Sequence, residues 1–327
     1  MKEPVRVMVT IDTEEDDWGS YRPTGASVEN IRRLEGLTEL WERFGARPTY
    51  FVNYPPMDSP GASEVLRTLA TGTPCEMGVH CHPWNTPPLA GGSEEPPSMM
   101  NRLSEEENEA KLRVLTQRFT ELFGTRPRVF RAGRWGFGPS VARPLHKLGF
   151  EADFSVSPYM DWSGIDGPDY SEASPVPYRF EPSSPFVPRS DGPLVEVPTS
   201  VGYLRGPQGF SGRARQALER SPLARWKVVG VLDTLGLLAR RWISPETSSA
   251  GEMVRLAATL ARSGFKVLDL TFHSSTLHPG LTPFVKTESE RRRFLARIEK
   301  FLAYCSREGF RFSTAGEVAA AVKEQEL

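Results

Sequence analysis

The alternation of short apolar runs with amphipathic helical patterns constrains this chain more than any other feature. Val5 to Ile11 is β-branched or apolar at nearly every position, as expected of a strand buried on both faces of a mostly parallel sheet. Further strands are read at Thr49 to Asn53, at the run carrying His80, and at Arg128 to Arg131, Phe150 to Val156, Leu194 to Val197 and Phe265 to Thr271. Helices fall between them. Ile31, Leu34, Leu37, Leu40, Trp41 and Phe44 recur at three- and four-residue intervals, with Ser27 as the expected N-cap and Gly45 at the C-cap position. Ser104-Glu105-Glu106-Glu107 and Thr314-Ala315-Gly316-Glu317 read as capping boxes that open later helices. This order belongs to the α/β class, whose barrels and open sheets carry their sites at the C-terminal ends of the strands.

The polar residues at those ends are therefore the ones to inspect. Val5 to Ile11 runs into Asp12-Thr13-Glu14-Glu15-Asp16-Asp17, an acidic cluster that needs water or a cation to relieve its repulsion. In Gly78-Val79-His80-Cys81-His82-Pro83-Trp84 the two histidines stand at i and i+2, so a strand-like backbone projects both to one side, a metal-chelating geometry. Arg131, Asp153 and His273 end other strands. In a barrel all these ends open on one face, and a carboxylate with two imidazoles suits a divalent cation with open positions. No phosphate loop, dinucleotide fingerprint or GxSxG elbow competes: the glycines at 133, 136 and 138 have the wrong spacing.

The formal net charge is −1 over 327 residues, which gives no global argument for a nucleic-acid partner. Three cysteines without a CxxC pair, no secretory segment and no long apolar stretch lead us to expect a cytoplasmic protein. Pro83 to Pro97 reads as a site loop, and residues 157 to 193 as a long excursion. Between Arg205 and Arg241 eight basic residues face only Glu219 and Asp233. This basic stretch, taken as an inserted helical segment over 203–248, is read as a subdomain packed on the core, with peripheral contact at the inner membrane face through 205–241 as the alternative.

Taken in order, Thr10-Ile11-Asp12-Thr13-Glu14, Gly78 to Trp84, Arg131-Ala132-Gly133-Arg134-Trp135-Gly136, Asp153-Phe154-Ser155 and Thr271-Phe272-His273-Ser274-Ser275 resemble the five motifs of polysaccharide deacetylases with a NodB homology domain. The lipopolysaccharide-biosynthesis members look most similar. The resemblance implies a distorted (β/α) barrel of about seven strands filling 1–327 as one domain, apart from the insertion, and metal-dependent removal of an acetyl group from an N-acetylated sugar. Asp12 would be the general base that activates the attacking water, with Arg131 holding it ionised. His80 and His82 would be metal ligands. His273 would be the general acid, its tautomer held by Asp153, and Trp84 and Trp135 would line the substrate pocket. The metal would be Zn²⁺, with Co²⁺, Ni²⁺ or Mn²⁺ as alternatives.

Two departures from the family pattern stand out. Thr13 follows Asp12 where adjacent acids are usual, so Glu14 takes the ligand role, as in the allantoinase-like branch, with Asp16 as the other candidate. One residue, not three, separates His80 from His82. The expected substrate is an N-acetylated sugar in a lipid- or nucleotide-linked glycan precursor. A cyclic amide or ureide hydrolase is the rival enzyme, and a catalytically inactive carbohydrate-binding or scaffold protein the rival from outside enzymes.

Overall fold

The computed structural model describes residues 4–16, 18–89, 97–221 and 228–327. Asp17 of the acidic cluster, Arg225 and Lys227 of the basic stretch, and 90–96 of the site loop lie outside the described residues.

Eleven strands are present among the described residues: β1 (Arg6–Thr13), β2 (Thr49–Val52), β3 (Glu76–Cys81), β4 (Val129–Ala132), β5 (Ala152–Asp153), β6 (Tyr178–Phe180), β7 (Leu194–Glu196), β8 (Val201–Tyr203), β9 (Arg240–Trp242), β10 (Val267–His273) and β11 (Arg311–Phe312). The main sheet runs β10-β1-β2-β3-β4-β5-β7-β6, with β11 added beside β1. Every pairing from β10 through β7 is parallel, and only β6 joins antiparallel. The seven strands expected from sequence are thus the seven successive parallel strands of a barrel-like (β/α) fold. β1 is buried along its whole length because β10 lines one edge while β11 and β2 divide the other, at Arg6–Val7 and Thr10–Thr13.

The helices cover the sheet by burying one stripe each. Glu105–Phe123 buries Leu112, Leu115 and Phe119, and Glu288–Arg307 buries Phe294, Ile298, Phe301 and Leu302. The capping boxes at Ser104 and Thr314 form as expected, and two more form at Ser249 and Thr287. The first helical region differs from its expectation. It begins with 3₁₀ turns at Glu29–Arg33 and Glu35–Leu37 before the α-helix Thr38–Phe44, and Ser27 does not cap it. Asp16 does, accepting from the backbone N–H of Glu29 (2.9 Å) and Asn30 (3.0 Å) and from Asn30 Nδ2 (2.6 Å).

Between β8 and β9, which pair antiparallel, the chain forms helices Gln208–Glu219 and Val228–Thr234. Much of the basic charge here is answered internally. Arg215 pairs with Glu219 and Asp233, Arg241 with Asp233 and Glu252, and Arg220 with Asp169. No helix among the described residues is long and apolar enough to cross a membrane.

Candidate metal centre and its cleft

The site forms where β1, β3, β4 and β10 end. β3 delivers His80, and the chain just beyond it delivers His82; their Nε2 atoms stand 3.0 Å apart. Each ring is fixed from behind. His80 Nδ1 donates to the Arg131 carbonyl (3.0 Å), and His82 Nδ1 faces Glu15 Oε1 (2.9 Å), a carboxylate also held by Asn53 Nδ2 (2.7 Å). With Nδ1 protonated on both rings, both Nε2 lone pairs are directed at a common point. Glu14 Oε2 lies 3.3 Å from His82 Nε2 and 3.8 Å from His80 Nε2, and ligand atoms of all three residues fall within 4.8 Å of one another. All three are buried. Burial also pushes the Glu14 carboxyl above its ordinary range, a cost that a cation offsets. Two imidazole nitrogens and one buried carboxylate therefore fit a divalent cation that keeps positions open. Asp16, the other candidate for the acidic ligand, is committed to the cap described above.

Gly133 makes this packing possible. A Cβ there would lie 2.3 Å from His82 Cδ2 and 2.8 Å from the Cys81 carbonyl oxygen, so any side chain would displace the imidazole. On its other face His82 stacks against Trp84, at 4.1 Å between ring centroids.

Asp12 and His273 are register partners across β1 and β10, with Asp12 Oδ2 3.8 Å from His273 Nε2. Arg131, fully buried, binds Asp12 Oδ1 (2.8 Å) through Nη1 and Asp269 Oδ2 (3.2 Å) through Nη2. Thr10, Thr271 and the Phe154 carbonyl take other N–H groups of the same guanidinium. Burial alone would raise the Asp12 carboxyl, but Arg131 overrides it and holds the group at about 2. Asp269 goes the other way, to about 6, because its burial outweighs its share of Arg131. Asp12 is thus the stronger acid of the pair and stays ionised far below neutral pH.

Asp153 does not hold His273, which corrects the sequence expectation. It accepts from Ser155 N (3.0 Å) and Ser155 Oγ (2.7 Å), and it is the register partner of Glu196 across β5 and β7. Burial pushes both carboxyls up. The partner of His273 Nδ1 is Glu246, at 3.0 Å to Oε2; its Oε1 also accepts from the His273 backbone N–H (3.0 Å) and Thr276 Oγ1 (2.6 Å). Burial disfavours the imidazolium, yet Glu246, then Glu14 and Asp12, raise it to about 10.

Asp12, Glu14, Glu15, His80, His82 and His273 line a cleft of about 300 Å³ together with Trp18, Tyr21, Trp84, Arg134, Trp135 and Trp162. Trp18 meets the His273 ring edge-on at 4.8 Å. Sequence reasoning missed Glu15, Asn53, Glu246, Asp269 and Trp18. For Asp269 a signal existed, since stepping back by twos from His273 along β10 reaches Thr271 and then Asp269.

The fold is shared with solved structures. A protein described as a polysaccharide deacetylase from Mycobacterium smegmatis aligns with a TM-score of 0.55 at 18% identity, covering 100% of this chain and 93% of that one. One described as a glycoside hydrolase/deacetylase from Parabacteroides distasonis aligns with a TM-score of 0.59 at 11% identity, over 98% of this chain and 71% of that one. PuuE allantoinase aligns with a TM-score of 0.50 at 15% identity, over 98% and 91%. No protein-family model and no curated protein matches the chain. The likeness is one of fold: this chain has the barrel-like (β/α) architecture found in polysaccharide deacetylase structures.

Proposed function

We propose that the protein is a metal-dependent hydrolase that removes the acetyl group from an N-acetylated sugar. The observation that carries this reading is the meeting, in one cleft, of a Glu14-His80-His82 donor set with an ionised carboxylate, Asp12, and a protonated imidazole, His273. A divalent cation held by Glu14, His80 Nε2 and His82 Nε2, Zn²⁺ before Co²⁺, Ni²⁺ or Mn²⁺, would polarise the acetyl carbonyl and acidify a water. Asp12, kept ionised by Arg131, takes a proton from the attacking water. His273, kept protonated by Glu246, gives a proton from Nε2 to the departing amine nitrogen, so that it leaves as a neutral amine. Trp84 and Trp135 wall the cleft and exclude bulk water.

The test is elemental analysis of protein prepared without chelator or His-tag, followed by acetate release from N-acetylated chitooligosaccharides. About one metal equivalent and metal-dependent acetate release are expected. Metal-replete protein that releases no acetate from any acetylated sugar would remove the reading. The alignment with PuuE allantoinase favours one rival, hydrolysis of a cyclic ureide, and ring opening of small ureides measured beside acetate release separates the two. Residues 203–248 are, on this reading, an insertion into one 1–327 unit, and the substrate a lipid- or nucleotide-linked precursor. Phe210, Val231, Leu235 and Leu237 are exposed in the same segment as the exposed Arg205 and Arg213, and co-sedimentation with anionic vesicles tests whether this segment meets a membrane.

A further inference from the structure

We propose that the cleft selects an N-acetylated saccharide that also carries an anionic group, a phosphate or a carboxylate, and that Arg134 is the residue that receives it. The inference rests on the deacetylase reading for its substrate, and on a separate set of observations for its charge.

Arg134 and Trp135 follow β4 with φ of 52° and 62°, two successive non-glycine residues in the left-handed region. Such a conformation is unfavourable and persists only where the surroundings over-determine it. Here they do. Tyr170 Oη donates to the Trp135 carbonyl at 2.6 Å, and Phe137 N–H donates to the same oxygen at 2.8 Å. Gly136 lies so close to the Met100 backbone that a Cβ would stand 2.9 Å from its nitrogen. The turn places both Arg134 and Trp135 on the wall of the cleft.

The guanidinium of Arg134 is held without being neutralised. Its carbon lies 4.7 Å from the centre of the Tyr21 ring, and Nη1 donates to Ser98 Oγ. Among the described residues Arg134 pairs with no carboxylate, and its Nε and Nη2 make no hydrogen bond. The acids of the cleft are engaged elsewhere: Asp12 by Arg131, Glu15 by His82 and Asn53, and Glu14 with the two histidines. Arg134 is thus a partly buried cation, aimed by a strained turn and steadied by an aromatic face, with donors to spare. That suits the planar, two-point recognition of a phosphate or carboxylate. A neutral sugar can accept single hydrogen bonds from this group but not the charge-assisted, two-point contact that a phosphate or carboxylate makes.

The experiment uses the metal-loaded 327-residue protein, Arg134→Gln and Arg134→Lys. The sugars are neutral N,N′-diacetylchitobiose, N-acetylglucosamine 1-phosphate and an N-acetylglucosaminyl-glucuronic acid disaccharide. Acetate release and calorimetric binding are both measured. Wild type is expected to favour one or both charged sugars, and Arg134→Gln to lower kcat/KM on them about 10- to 100-fold, several-fold more than on the neutral sugar. Arg134→Lys should recover part of the loss. The two charged sugars tell phosphate from carboxylate. Equal losses on charged and neutral sugars, or a wild type indifferent to charge, would overturn the inference. Binding separates this from the activity: charge-selective binding that Arg134→Gln abolishes, with no turnover of any sugar, overturns the deacetylase reading and upholds the anion site.

Discussion

Replacing Glu246 by glutamine keeps the shape of the side chain and removes the charge that faces His273. The amide oxygen, in the place of Oε1, can still accept from His273 N and Thr276 Oγ1, but the amide nitrogen in the place of Oε2 cannot accept from His273 Nδ1 and the ion pair is gone. A hydrogen bond to a charged group is worth about 1.5–3 kcal/mol, so kcat for an N-acetylated sugar should fall up to about 10- to 150-fold at alkaline pH, where the variant's His273 has lost its proton and the wild type's has not, with little change near neutral pH. The same energy moves the His273 pKa down by about one to two units. Since wild-type His273 titrates at about 10, the alkaline limb of the pH–rate profile should shift toward neutrality in the variant. Stability changes with it. The folded pKa lies above the ordinary value of 6.5, so the pair's contribution is complete below about pH 6.5 and is lost as pH rises through the folded value. The control is 4-nitrophenyl acetate, whose leaving group departs without a proton, and on which the variant should retain most of its rate. An equal loss on the ester, or an unmoved alkaline limb, would refute the assignment, as would an Asp153→Asn variant with the same profile as Glu246→Gln.

Three further outcomes follow from the same geometry. His80→Ala/His82→Ala should purify with no bound metal where wild type carries about one equivalent, read by elemental analysis. Gly133→Ala should lower metal occupancy and cost about 1–3 kcal/mol in urea unfolding, since the new methyl would stand 2.3 Å from His82 Cδ2 and the ring must move. Arg131→Met should destabilise by about 3–5 kcal/mol, because Asp12 and Asp269 lose their shared counter-charge inside the barrel. In the wild type Asp12, held near 2, contributes stability that is complete above about pH 4 and fades as pH falls through 2. Acid titration of Arg131→Met should lack that component.

The parallel strands were legible because their burial on both faces leaves uninterrupted apolar runs, as in Val5 to Ile11. β6, β8, β9 and the parallel β11, each two or three residues long, were not read; β5 and β7 are as short, and were found inside the longer extended runs Phe150 to Val156 and Leu194 to Val197. The helix start near Ser27 misled for a different reason: its cap, Asp16, comes from across a loop and not from the residue before the turn. Within the site, His80, His82 and Asp12 could be read from strand period and charge. Glu246 could not. It sits in a loop between β9 and the helix Ala250–Arg262, and nothing local in its sequence marks a residue whose partner lies 27 positions away. Asp153 illustrates the converse, a residue in the expected motif whose carboxylate turns to Ser155 and leaves the histidine to another acid.

The pairing of Asp12 with His273 in the β1–β10 register means that the distance between the proposed proton acceptor and the proposed proton donor is written into a ladder of backbone hydrogen bonds and not into any loop. Loops around the cleft can lengthen, shorten or change their side chains, and so change what is bound, without disturbing that spacing. A single residue lost from either strand would instead turn one of the two groups to the far face of the sheet. The chemistry is locked to the frame, and the choice of substrate is left free to drift.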